Sequence, residues 1–334
     1  MTLILSKSDV GRHLVMKELI DEIEAGFLAF SNGNVEVPQR IRLATIDGGG
    51  YGAFMPCYLP GQGLGIKINT NFRENAGHGL PRILGLLVLL DTTTGMPLAV
   101  MDSTSITAFR TAAVSGVAMR HLARENAEVL GILGSGVLSV PHMLAASAVR
   151  PIRTIRVYSP HLSARREEFA LAARAAVLAT VDVVQSAEQV AADADILVTC
   201  TSSASPALDG RWLQSGACII AVGNATPHSR ELDTITVMRS HVICDSWRAC
   251  ILETGDLLIP IKEGSITDSH IKHDLGDVLK GDQPRATGSA LVLFKSVGLA
   301  FEDIIAARSV YSKAAASKTA TRFDFFQTVK ATAN

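Results

Sequence analysis

The chain has 334 residues, 48% hydrophobic and 19% charged, with a formal net charge of −1 and a pI near 6.8. That length buries a substantial core and makes two domains the expectation. The near-neutral charge gives no reason to expect nucleic acid or an anionic membrane as partner.

Cys57, Cys200, Cys218, Cys244 and Cys250 have no CxxC spacing, so they read as reduced thiols, with no metal site and no disulfide frame. The opening residues MTLILSKSDV lack the basic and long apolar regions of a signal peptide, and the apolar stretch 84–90 is too short to span a bilayer. A soluble, cytoplasmic protein is expected.

In chain order, residues 8–30 predict one amphipathic helix, with Leu14, Met16, Leu19, Ile20, Ile23 and Phe27 at helical spacing. Residues 35–45 read as extended, and Pro38 limits them to an edge or a strand start. Gly48-Gly49-Gly50 is a turn, followed by strands over 51–58 and 63–69. Residues 83–90 and 97–101 flank the turn at 91–95 as a hairpin-like pair. Successive strands without intervening helices mark a domain of their own.

Two cations in this half are unusual. Lys67 stands between Ile66 and Ile68, and strand alternation puts its side chain on the face opposite theirs. That face is either solvated or serves the lysine. Arg110 lies in a helix capped by Ser105 or Thr107 and running to about Leu122, among small residues suited to close packing. An arginine in a first helical turn opposes the macrodipole and needs an anion, either a bound carboxylate or a structural Asp or Glu.

Residues 129–133 form a short apolar run that leads into Gly134-Ser135-Gly136 and a helical segment. A strand turning through glycines onto a helix N-terminus is how a dinucleotide pyrophosphate is held. The pattern departs at Ser139, where Gly or Ala is usual, and at Pro141, which lacks an N–H early in the helix. Strands over 154–159, 181–184, 195–200, 217–222 and 241–244, with helices over 163–176 and 187–192, predict a parallel Rossmann sheet. After Tyr158 no acid precedes Glu167. Ser159, His161 and Arg165 suit a 2′-phosphate, which favours NADP over NAD; in the alternative, Arg165 and Arg166 face solvent.

The chain resembles the ornithine cyclodeaminase/mu-crystallin family over essentially its whole length. The likeness rests on Pro38-Gln39-Arg40, Met55-Pro56, Lys67, the run ITAFRTAAVS at 106–115, Gly134-Ser135-Gly136, Ala221-Val222-Gly223 with Pro227 and Glu231-Leu232-Asp233, and LFKSVG at 293–298. It implies an α/β chain with a Rossmann dinucleotide-binding domain over 116–308. An α+β substrate-binding and dimerisation domain would cover 1–115 and 309–334, in a homodimer. It implies a substrate carboxylate held by Arg40, Lys67 and Arg110, with Arg42 the alternative to Arg40, and Lys67 as the catalytic group. The cofactor-binding set is Gly134, Ser135, Gly136, Val137, Ser159, His161, Arg165, Thr201, Val222 and Gly223, for NADP or NAD, and no metal is implied.

Two departures narrow the chemistry. Cyclodeaminases of the family carry acids at the positions of Ala53 and Ala225, where a diamino acid needs anions for its second amine. The expectation is therefore NAD(P)H-dependent reduction of a small 2-imino acid, such as Δ1-pyrroline-2-carboxylate, or the reverse amino acid dehydrogenation. The rivals are a cyclodeaminase-type lyase and a non-catalytic crystallin-like nucleotide binder.

Overall fold

The structure, a computed structural model, describes residues 1–160, 162, 166–271, 273–282, 289–317 and 320–326. Its contacts divide it into two units. The first holds Met1–Val15, Gly33–Arg110 and the described residues from Ala300 on; the second holds Met16–Asn32 and Thr111–Leu299.

The first unit is built on seven strands, numbered along the chain: β1 (Thr2–Leu5), β2 (Ile41–Ala44), β3 (Gly50–Leu59), β4 (Gly63–Phe72), β5 (Ile83–Leu90), β6 (Pro97–Asp102) and β14 (Thr321–Phe323). They form one sheet in the order β14-β1-β6-β5-β4-β3-β2. β2 to β6 are antiparallel neighbours, while β1 runs parallel to β6. Neither β1 nor β14 is expected from the sequence. β1 is four residues long and its partners are remote, so its apolar run has no local hairpin signal.

Alternation on this sheet runs opposite to the usual expectation. Ala53, Met55, Cys57, Lys67, Leu87 and Leu89 lie on the buried face, whereas Ile66 and Ile68 are only half-buried on the other. Lys67 is 1% exposed, which rules out the solvated-face alternative. Helix α11 (Ala300–Ala316) packs on the buried face. Gly65 permits that approach, since a Cβ there would stand 2.5 Å from the Val88 carbonyl oxygen and 2.7 Å from Ile304 Cδ1.

The single helix expected over 8–30 is two helices. α1 (Lys7–His13) is capped by Ser6 in a reciprocal box with Asp9 and ends at Leu14 in extended backbone. α2 (Met16–Ser31) then packs within the second unit. There it meets α3 (Ser103–Leu122) so closely that a Cβ on Gly116 would stand 2.6 Å from Ile20 Cδ1. The apolar spacing runs unbroken through Leu14 and Met16, which hides the break.

The second unit carries β7 (Val129–Leu133), β8 (Thr154–Tyr158), β9 (Thr180–Val183), β10 (Ile196–Thr199), β11 (Cys218–Ala221), β12 (Ser240–Cys244) and β13 (Leu291–Lys295). Every pairing is parallel, in the order β12-β13-β11-β10-β7-β8-β9. Order therefore reverses between β7 and β10, the point where doubly wound sheets bind ligands. The chain is thus a Rossmann unit joined to a second, mixed α/β unit. The four residues of β10 and of β11 are all buried, as strands covered on both faces must be. Among the described residues no helix is long and apolar enough to cross a membrane.

Candidate active site

In the first unit, strand β4 points Lys67 inward and helix α3 brings Arg110 beside it. Lys67 Nζ donates to Asp303 Oδ1 at 2.9 Å and lies 2.8 Å from Oδ2, an ion-pair contact. Arg110 Nε donates to the same Oδ1 at 2.9 Å, and its Nη1 donates to Glu302 Oε2 at 2.5 Å. All four side chains are almost wholly buried. Glu302 and Asp303 occupy the first turn of α11, where the macrodipole favours anions.

Burial pulls the Lys67 ammonium down to about 8; Asp303 opposes the fall, while the positive charges of Arg110 and Arg40 add to it. Arg40 thus acts electrostatically on Lys67, whereas Arg42, on β2, lies over the Tyr51 ring at 5.4 Å.

The helix carrying Arg110 begins earlier than expected. α3 starts at Ser103, and Asp102, not Ser105 or Thr107, caps it by accepting from the Ser105 amide at 3.0 Å. Arg110 therefore stands two turns in, beyond the reach of the macrodipole. Its anions are structural ones, Glu302 and Asp303. Both were missed in the sequence, although an adjacent acid pair inside the apolar run AFEDIIAA is a usable signal. Charges on a helix buried on all sides must be paired.

Ala53 lies on the buried face of β3, next to Met55, whose register partner is Lys67. Glu74 is exposed in a short 3-10 turn, and Asp102 is engaged in capping α3. Ala225 is half-buried.

In the second unit the expected nucleotide residues gather at one edge of the parallel sheet. Gly134 to Val137 follow β7, Ser159 follows β8, Thr201 follows β10, and Val222 and Gly223 follow β11. Gly134 has φ +119°, and a Cβ there would stand 2.7 Å from the Cys200 carbonyl oxygen, so only glycine fits. A Cβ on Gly136 would meet open space, so that face is clear for a ligand. Helix α4 (Ser139–Val149) has no side-chain cap at its start, and the Ser139 amide donates back to the Gly136 carbonyl at 3.0 Å, closing the glycine turn onto the helix. Pro141 does not distort it, because in the first turn its missing N–H would have had no intrahelical partner. These features fit a dinucleotide pyrophosphate.

Two further residues at this edge, Glu231 and Asp256, have roles the sequence does not signal, although Glu231 is among the residues that carry the family resemblance. Glu231 accepts from the Thr201 amide at 2.6 Å and the Gly223 amide at 2.7 Å, tying together the loops after β10 and β11. Burial raises the Glu231 pKa, and Lys295 opposes that rise. Asp256 accepts from the Glu231 and Leu232 amides at 2.7 and 3.0 Å and from Lys295 Nζ at 2.7 Å.

Ser159 is half-buried; Arg166 is exposed, as the solvent-facing alternative has it, and also donates to the Val183 carbonyl. His161 and Arg165 lie outside the described residues. Among the described residues no group of His, Cys, Asp and Glu could hold a metal ion.

The sequence profile of the ornithine cyclodeaminase/mu-crystallin family matches residues 1–318. A Δ1-pyrroline-2-carboxylate reductase of Thermococcus litoralis, solved in complex with NADH and L-proline, is 36% identical. The match covers 96% of this chain and 100% of that one, with a TM-score of 0.92. A Δ1-pyrroline-2-carboxylate reductase of Bacillus cereus is 33% identical over 330 residues, 97% of this chain and 100% of its own. An archaeal alanine dehydrogenase dimer with bound NAD is 28% identical, covering 97% and 99% of the two chains, with a TM-score of 0.89.

Proposed function

This chain belongs to the ornithine cyclodeaminase/mu-crystallin family, and from that premise we propose that it reduces a small cyclic 2-imino acid, such as Δ1-pyrroline-2-carboxylate, to the amino acid with NAD(P)H. The observation that carries this is the buried Lys67–Arg110 pair, found in a chain so similar to a reductase that binds NADH and L-proline.

Gly134, Ser135, Gly136 and Val137 would hold the pyrophosphate, and Ser159, Thr201, Val222 and Gly223 would complete the dinucleotide site. When bound there, a reduced nicotinamide would supply hydride chemistry to the imine carbon. Arg40, Lys67 and Arg110 hold the substrate carboxylate, Arg110 with the planar donor fork that suits it. Lys67 gives one proton to the imine nitrogen. Its N–H bond breaks, a new N–H forms, and the neutral amine recovers a proton from water. Hydride plus proton makes the amine, so atoms and charge balance.

Neither Ala53 nor Ala225 offers an anion to a second amine, and a cyclic imino acid has no second amine to place. Glu302 and Asp303 do not supply the missing acids, because Arg110 and Lys67 already hold them. NADPH is the preferred reductant, since no acid follows β8 before Glu167 to repel a 2′-phosphate.

The working form is a homodimer. The outer face of the first unit's sheet exposes Ile41, Leu43, Leu64, Leu84 and Leu86, an apolar patch that a second copy would cover. Leu86→Asp is expected to give monomers in analytical ultracentrifugation; an unmodified protein already monomeric at micromolar concentration would contradict this. A reducing compartment, the cytoplasm, suits five free, buried cysteines.

The reaction is tested by following NADPH and NADH absorbance with cyclic imino acids and identifying the amino acid formed. No oxidation of either cofactor with any of them would refute it.

A further inference from the structure

Lys67 and Arg110 come from different elements, β4 and α3. Both converge on one atom, Asp303 Oδ1, at 2.9 Å each. The second oxygen faces Lys67 at 2.8 Å. Glu302, one residue earlier, takes the other end of Arg110. Asp303 is 1% exposed, so water does not compete for its oxygens. A carboxylate on a helix packed against the sheet thus fixes the distance and orientation of two cations at once.

We propose that Asp303 is a positioning residue for imine reduction: it holds Lys67 as a protonated donor and locks it in register with Arg110. This rests on the function proposed above. Asp303 does not itself give up or take a proton. A substrate carboxylate entering beside the pair meets two cations already oriented, and the ordering cost is met during folding.

The groups facing Lys67 decide what its loss does. Asp303 is on α11, Arg110 on α3 and Arg40 just before β2, while Cys57 on β3 has its thiol pushed up to about 12 by burial and Asp303, so it stays neutral. Glu302 is engaged by Arg110. Lys67 titrates near 8, and Asp303 is the first-named opponent of the burial that lowers it. Activity needs the ammonium. The alkaline limb of kcat/KM therefore falls through about 8 in the unmodified enzyme. Removing the anion lets burial, Arg110 and Arg40 act unopposed, so the limb moves to lower pH.

The test compares the unmodified enzyme with Asp303→Asn and Asp303→Glu, using NADPH and Δ1-pyrroline-2-carboxylate. In Asp303→Asn the limb is expected to move down by about one pH unit or more, with kcat lowered about ten-fold at neutral pH. A folded Asp303→Asn protein with an unmoved limb overturns the proposal. Should that variant not fold, Asp303→Glu is read alone: a limb kept in place with a lowered kcat supports the proposal, and an unchanged kcat overturns it. If the unmodified protein reduces no imino acid, the functional reading has failed. Asp303 is then judged by the Lys67 ammonium midpoint in 15N NMR, where a lower midpoint in Asp303→Asn supports the positioning role and an equal one refutes it.

Discussion

Lys67 and Arg110 share a single oxygen atom. Oδ1 of Asp303 accepts from Nζ of one and Nε of the other, across 236 residues of sequence in the first case and 193 in the second. Two cations placed side by side in a protein interior repel each other, and only a buried anion makes the arrangement tenable. On the function proposed above, stability and catalysis are linked at this point.

Arg110→Ala is expected to damage both. Loss of the guanidinium removes the buried Arg110–Glu302 and Arg110–Asp303 ion pairs, which costs roughly 3–5 kcal/mol of stability. Losing a charge-assisted contact to the substrate carboxylate costs roughly 2–5 kcal/mol in kcat/KM. Thermal melts and kinetics on the folded fraction separate the two, and dinucleotide affinity should change little. Near-normal kcat/KM in Arg110→Ala would remove this residue from the substrate site.

Glu231→Gln is expected to act on the other half of the reaction. The carboxylate accepts two amide N–H groups, from Thr201 and Gly223. A carboxamide accepts at one oxygen and turns an NH2 toward the second donor. The unsatisfied amide costs roughly 1–3 kcal/mol, and the loops after β10 and β11 lose their common anchor. Calorimetric titration should show weaker dinucleotide binding in the variant. Unchanged affinity would mean that the clamp has no bearing on the cofactor.

Cofactor choice turns on the residues after β8. Ser159→Asp puts an acid where a ribose 2′-hydroxyl is normally bound, so it should shift preference from NADPH toward NADH. The comparison is the ratio of kcat/KM values for the two cofactors. An unmodified enzyme that uses NADH as well as NADPH would contradict the preference.

Much of the frame was legible in the sequence because its signals are local. The glycine turn after β7, the short apolar strands around it and the hairpin of β5 and β6 lie within windows of a few residues, and β5 runs over Ile83–Leu90 as expected. What failed depended on distant partners. β1 is a strand only because β6 and β14 flank it. Period-two alternation put Lys67 opposite its isoleucines correctly, but alternation alone does not say which face is covered; α11 decides that. Arg110 was expected to want an anion, and it has two, but they come from Glu302 and Asp303 far along the chain. The break after α1 is a backbone event at Leu14 that apolar spacing cannot register.

The most direct measurement supplies the purified protein with Δ1-pyrroline-2-carboxylate in one vessel and L-ornithine in another, each with nicotinamide cofactor. With Ala53 and Ala225 there is no anion at either position for a second amine, whereas a cyclic imino acid has none to place. Stoichiometric oxidation of NADPH or NADH with formation of proline in the first vessel, and no ammonia in the second, is the predicted result. Ammonia and proline released from ornithine at catalytic rates, with no net change in cofactor absorbance, would contradict it.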